Sequence, residues 1–199
     1  MSMQEQSHAR KNPLTGEWVL VSPHRTSRPW QGQTEPITAD SKARFDKDCY
    51  LCPGNVRANG EQNPAYTGPF AFDNDFSALS TESTIEDSGN PLFRTRPESG
   101  RCRVFCFSER HDQRLATMPK SAVKAALDAM FCEYRELADS GKYAYVQMFE
   151  NRGEMMGCSN QHPHAQIWAT EHLPTEPGKE ARCQQEYFDD NGTTLLGDY

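Results

Sequence analysis

The sequence has no long hydrophobic run. Its apolar stretches are only a few residues long, far short of the roughly 20 a helix needs to span a bilayer, so a membrane-spanning helix is excluded. The opening residues, MSMQEQSHARKNP, contain no apolar segment of the kind that marks an export signal. Positive charge is also scarce: Lys plus Arg total 21 against 28 Asp plus Glu, a net charge of −7. A general nucleic-acid binder needs a basic face, so neither nucleic acid nor membrane is an expected partner. Internal repeats and low-complexity tracts are absent. The seven cysteines are an odd number and follow no export signal. They argue for a reducing, cytoplasmic setting, where a close pair is read as metal or redox chemistry rather than as a staple. Apolar residues make up 36% of the 199 and mean hydropathy is −0.83. The core is expected to be lean, or to be completed by another chain or segment.

What is present falls into two styles. Nine of the 13 prolines lie at or before Pro97, and residues 24–100 read mostly as loop with short strands, such as PFAF around Phe70. Leu14 to Pro23 reads as a strand entered through a tight Thr-Gly turn. The later part is more regular. Arg103 to Phe107 reads as a buried strand and Tyr143 to Glu150 as an alternating one. Lys120 to Gly141 reads as a helix capped at Ser121, with Val123, Leu127, Met130, Tyr134 and Leu137 at helical spacing. A further strand is expected from about His162 to Thr170, and a last helix over Lys179 to Phe188. This order suggests an α+β fold on an antiparallel sheet.

Several short segments could carry chemistry. In His162-Pro163-His164-Ala165-Gln166 an extended chain would project His162, His164 and Gln166 together, with Ile167 and Ala169 on the other face. Two imidazoles held this way can divide labour, one binding metal and one reacting. Taken alone, such a pair is more often two solvated histidines on an edge strand. The preceding Gly157-Cys158-Ser159-Asn160 could form an anion-binding turn, with a Ser159 hydroxyl as an extra donor; an ordinary hairpin turn has the same pattern. Cys49 and Cys52 form a CxxC. This is half of a tetrahedral metal site that needs distant partners, for which His111 and His162 are candidates. The alternatives are a redox pair or two buried thiols, but the Pro53-Gly54 that follows favours a metal knuckle. Arg25 and Arg28 could fork onto phosphate oxygens. Asn74-Asp75-Phe76 could hold a ribose diol beside a base, or be a plain turn.

Together these segments resemble the galactose-1-phosphate uridylyltransferase family of the histidine-triad superfamily. The likeness runs in order through Asn12 to Gly32, Cys49 to Arg57, Phe72 to Leu79 and Phe149 to Ala169. It implies a histidine-triad-like antiparallel sheet, a half-barrel with flanking helices and long N-terminal loops. It also implies UMP transfer from UDP-glucose to galactose 1-phosphate by a ping-pong route in galactose metabolism, with UDP-galactose as product. His164 matches the nucleophile that becomes uridylylated, and Gln166 and Ser159 would stabilise phosphoryl charge. Substrate contacts fall on Arg25, Arg28, Ala58, Asn74, Asp75, Asn151, Gly157, Cys158, Ser159 and Gln166, with the two arginines acting across a homodimer interface. By the same resemblance Cys49, Cys52, His111 and His162 would bind structural zinc, and Glu180 would be one ligand of a second, iron or zinc, site. Family members continue with a second half of related fold. The expectation is therefore that 1–199 is the N-terminal domain with the C-terminal half absent, which leaves the Glu180 site and part of the sugar-phosphate pocket incomplete. The competing readings are a related nucleotidyl phosphorylase or hydrolase, and an inactive zinc-stabilised fragment.

Overall fold

The computed structural model describes residues 6–29, 43–153, 156–158 and 160–199. The chain divides into two compact units, one from Met1–Thr38 with Leu173–Tyr199 and one from Ala39–His172.

In the first unit, β1 (His8–Lys11) and β2 (Trp18–Val21) pair antiparallel. The turn between them is tied by Asn12, whose N–H donates to the Glu17 carbonyl at 2.7 Å and whose carbonyl accepts the Gly16 N–H at 2.8 Å. Gly16 lies at φ +75°, a conformation that suits glycine. The expected strand over Leu14 to Pro23 is thus shorter, because its first residues make this turn. Its partner β1 carries no alternating pattern and could not be read from periodicity. A 3₁₀ helix follows over Pro23–Ser27. Helix α2 covers Thr175–Asn191 and α3 covers Leu195–Asp198. The α2 helix begins four residues before the expected start. Pro177 is accommodated because the first turn of a helix does not need its N–H. Gly192, left-handed at φ 72°, ends the helix.

The second unit is built on a four-stranded antiparallel sheet in the order β3-β4-β6-β5, from β3 (Phe70–Asp73), β4 (Gly100–Cys106), β5 (Tyr145–Phe149) and β6 (His164–Thr170). Strands β4 and β6 form its centre, with Cys106 opposite His164, Val104 opposite Gln166 and Cys102 opposite Trp168. The two-residue period of a strand gives this sheet two unlike faces. On one face Phe105, Ala165, Ile167 and Ala169 are buried against α1 (Lys120–Ala138), together with Phe107, Met118, Ala126 and Leu137. The inward stripe of α1 is Val123, Ala126, Met130 and Leu137. Leu127, expected on it, is 53% exposed, and small Ala126, fully buried, takes the central place. Nor does Ser121 cap the helix: Pro119 occupies that position and accepts the N–H groups of Ala122 and Val123. Arg101 and Arg103 border the same face and pair with Asp73, Glu133 and Glu136. The Arg101 guanidinium holds the Asp73 carboxyl below the usual range.

The other face is covered on the β3–β4 side by the segment around the CxxC. Cys49, Leu51, Cys52 and Tyr66 pack there on Phe72, Val104 and Cys106. That segment is more ordered than a proline-rich loop suggests. Asn55 Nδ2 donates to the carbonyls of Asp46 and Cys49, and Asn63 Nδ2 donates to those of Tyr50 and Cys52.

The register of β4 against β6 depends on close approach at Gly100, where an added Cβ would collide with the Ala169 carbonyl and the Leu79 side chain. Gly100→Ala should therefore destabilise the chain by about 1–3 kcal/mol, read as a lower unfolding midpoint in denaturant. A midpoint equal to that of the unsubstituted chain would show that the strand ends are looser than described.

Candidate metal centre and active site

Four side chains distant in sequence converge beside β6. Cys49, Cys52, His111 and His162 are all buried, and their ligand atoms lie within 4.8 Å of one another. Cys52 Sγ is 3.7 Å from His111 Nδ1 and 3.5 Å from His162 Nδ1. A tetrahedral ion with metal–S bonds of about 2.3 Å and metal–N bonds of about 2.0–2.1 Å has S–N edges of about 3.5 Å, so the donors are spaced to take one. Around them, His162 Nε2 lies 3.0 Å from the Ser108 carbonyl. A carbonyl only accepts, so that nitrogen carries the proton and Nδ1 presents its lone pair to the centre. Burial pushes the His162 imidazole down to about 4, which keeps it neutral as a ligand must be. Burial also pushes the Cys52 thiol up to about 11; only a cation at the centre would hold it as thiolate. This arrangement suits a metal better than a redox couple, whose attacking thiol needs a depressed pKa.

Strand β6 starts at His164, two residues later than expected. His162 is therefore not on the strand face with His164 and Gln166. It turns fully inward to the metal centre, while the chain between, through Pro163, offers its carbonyl to the Phe107 N–H. His164 remains connected to it, because His164 Nδ1 lies 2.7 Å from the His162 carbonyl. By the same reasoning Nδ1 carries the proton and Nε2 keeps the lone pair. Gln166 follows on the same face, its Oε1 accepting the Trp168 indole N–H at 3.0 Å.

The remaining expected residues are placed as follows. Asn74 follows β3 and its Oδ1 accepts the Phe76 N–H in a local turn. The Asp75 side chain, 6% exposed, faces Arg57 Nε at 3.9 Å, and the Arg57 guanidinium lies 4.4 Å above the Phe72 ring. Ala58, next to it, is exposed, and Asn151 is partly buried. Gly157 has φ +75°. The Cys158 N–H donates to the Gly153 carbonyl and its thiol to the Asn160 carbonyl, so the turn spends this N–H internally. Ser159 lies outside the described residues. Arg25 and Arg28 belong to the other unit, exposed in and after its 3₁₀ helix, and Glu180 is on α2, its carbonyl accepting from Gln184 Nε2.

Sequence reasoning missed the supporting groups. Asn160 is buried beside Cys49 Sγ, and its Oδ1 accepts the His162 N–H at 2.8 Å. The Ser108 carbonyl carries no sequence signal. Trp168 did, since the alternation that placed His164 and Gln166 together extends one step to it.

Residues 1–174 match the family described as galactose-1-phosphate uridyl transferase, N-terminal domain. The chain belongs to this family. It is 46% identical over 196 residues to a galactose-1-phosphate uridylyltransferase of Haemophilus influenzae, covering 98% of this chain and 56% of that protein. It is 47% identical over 196 residues to the galactose-1-phosphate uridylyltransferase of Rattus norvegicus, covering 98% and 51%. The chain thus spans about half the length of these relatives. Among solved structures it resembles a uridylyltransferase with TM-score 0.65 and 26% identity, over 96% of this chain and 54% of that one. It shares its fold with an ADP-glucose phosphorylase from Arabidopsis thaliana, solved with bound ADP-glucose, at TM-score 0.68 and 22% identity, over 94% and 56%. The histidine-triad-like α+β expectation therefore holds. None of the helices formed by described residues is long and apolar enough to cross a membrane.

Cys52→Ala should lower metal content, measured by plasma mass spectrometry, from about one ion per chain to near none. Thermal stability should fall with it. Unchanged metal content and melting would remove the four-residue centre from this account.

Proposed function

We propose that this chain carries the uridylylation centre of a UDP-glucose–hexose-1-phosphate uridylyltransferase, with His164 as nucleophile. One observation carries the reading: Nδ1 of His164 is engaged by the His162 carbonyl, which leaves Nε2 as the nitrogen free to react. Such an imidazole attacks phosphorus near neutral pH, and a covalent adduct divides one hard displacement into two easier ones. In the first step Nε2 forms a bond to the α-phosphorus of UDP-glucose. The bond to the bridging oxygen breaks, and glucose 1-phosphate leaves with the electron pair. In the second step a phosphate oxygen of galactose 1-phosphate attacks the same phosphorus. The N–P bond breaks, and Nε2 regains its lone pair as UDP-galactose departs.

The other residues act by holding and orienting. Gln166 and Ser159 donate to phosphoryl oxygens as charge builds. Asn74 and Asp75 take the ribose, with Ala58 alongside; Asn151, Gly157 and Cys158 line the path of the nucleotide. Arg25 and Arg28 serve phosphates across a homodimer. Zinc suits Cys49, Cys52, His111 and His162, since all four are soft or borderline donors at tetrahedral spacing. Its contribution is structural: it anchors His162, and His162 orients His164. Glu180 contributes to a second, iron or zinc, site completed by residues outside this chain, which we read as the N-terminal domain of a longer catalytic assembly. Thiolate ligands favour a cytoplasmic setting.

Exposure to UDP-glucose should add one UMP to the chain, seen as a gain in intact mass. Peptide mapping should place the group on His164, with the label stable in mild base and lost in acid. His164→Gly should take no label while keeping its metal and its melting temperature. Label on a chain lacking that imidazole would end the nucleophile assignment.

A further inference from the structure

Gln166 offers one amide for phosphoryl contact, and an amide has two unlike ends. Turned one way it donates to an anionic oxygen; turned the other it repels one. The two orientations occupy the same volume, so shape alone does not choose between them. The choice is made by Trp168. Its indole nitrogen can only donate and lies 3.0 Å from the Gln166 side-chain terminus, so the carbonyl end must face the indole. Turning the amide over would set NH₂ against N–H and leave the partly buried indole donor without its acceptor. The indole is itself held. It meets Phe149 edge to face, with ring centroids 5.8 Å apart and planes at 69°, and Phe149 is the residue directly opposite Gln166 across β5 and β6. Strand alternation puts Gln166 and Trp168 on the face that carries His164.

We infer that Trp168 is a positioning residue: it locks the Gln166 amide with its NH₂ end turned toward the phosphoryl group that His164 attacks. This rests on the uridylylation reading above and deepens it. Trp168 touches no reacting atom and acts through Gln166. Its effect therefore falls on the rate of His164 uridylylation more than on nucleotide-sugar affinity, because the donor matters most when charge has built up.

The test is single-turnover labelling by UDP-glucose, using Trp168→Phe, Gln166→Ala and the double variant. Phe retains the contact with Phe149 and deletes only the N–H function, so melting should be close to that of the unsubstituted chain. Trp168→Phe should slow adduct formation by about 10- to 100-fold, with half-saturation by UDP-glucose changed less than about threefold. In the Gln166→Ala background it should add nothing, the signature of one residue acting through another. An unchanged rate in Trp168→Phe, or an equal loss with and without Gln166, would overturn the inference. A second measurement needs no turnover. In the ¹⁵N–¹H side-chain spectrum the Trp168 indole proton should be protected from exchange in the unsubstituted chain and lose that protection in Gln166→Ala. Should the unsubstituted chain take no label, the transferase reading fails, and this spectrum then decides the lock: an indole proton that exchanges freely beside an intact Gln166 overturns it.

Discussion

The arrangement of the site depends on one residue with two attachments. The His162 side chain belongs to the buried Cys₂His₂ centre, while its main-chain carbonyl holds the proton of His164. An ion at that centre closes a loop between Cys52 and His162, 110 residues apart in sequence. Such closures are entropically costly to make by packing alone. A bound ion would also fix the carbonyl that sets the His164 tautomer. Its loss would therefore act twice, on the stability of the β3–β4 cover and on the orientation of the His164 ring.

The sheet separates these tasks by face. Between the sheet and α1 the buried side chains are apolar: Phe105, Ala126, Ala165, Ile167 and Ala169 have essentially no exposed surface. Hydrophobic burial there secures the sheet at roughly 25 cal/mol per Å² of apolar area. The opposite face carries His164, Gln166 and Trp168, none of them buried, and the Cys49–Tyr66 segment covers it at β3 and β4. That face is therefore mixed: His164 and Gln166 stand on it beside Trp168 and Phe149, while Phe72, Val104 and Cys106 form an apolar cluster under the cover. Arg57 and Asp75 face each other at the β3 end. Arg57 Nε and Asp75 Oδ1 are buried without a hydrogen-bond partner among the described residues, a state that folded proteins seldom tolerate away from functional sites.

Much of this was legible in the sequence because it is local. The two-residue period over Ala165 to Thr170 predicts which side chains share a face, and the CxxC before Pro53-Gly54 predicts a metal knuckle over a redox pair. What was not legible is what long-range contact decides. His162 looks like the first member of the strand pattern, and only the metal centre turns it inward. Leu127 fits the helical stripe as well as Ala126 does, but the sheet approaches the helix where the small residue is. Asn55, Asn63 and Asn160 read as loop residues because their value lies in bonding carbonyls and an N–H that no periodicity reveals. Strand β1 pairs through its backbone, so its side chains, HARK, did not have to alternate.

The register of β6 links stability to chemistry. A slip of one residue against β4 would exchange the faces completely, pointing His164 and Gln166 into the apolar layer and Ile167 out of it. Three independent features oppose that slip. Gly100 admits the Ala169 carbonyl at one end, where any larger residue collides. The metal centre fixes His162 just before the strand begins. The α1 face buries Ala165, Ile167 and Ala169 of this strand together with Phe105 of β4. Together they determine that His164, Gln166 and Trp168 emerge on one side of the sheet, in the order the proposed chemistry would use them. In this fold the precision of the site is inherited from strand pairing, which is why so few side chains are needed to define it.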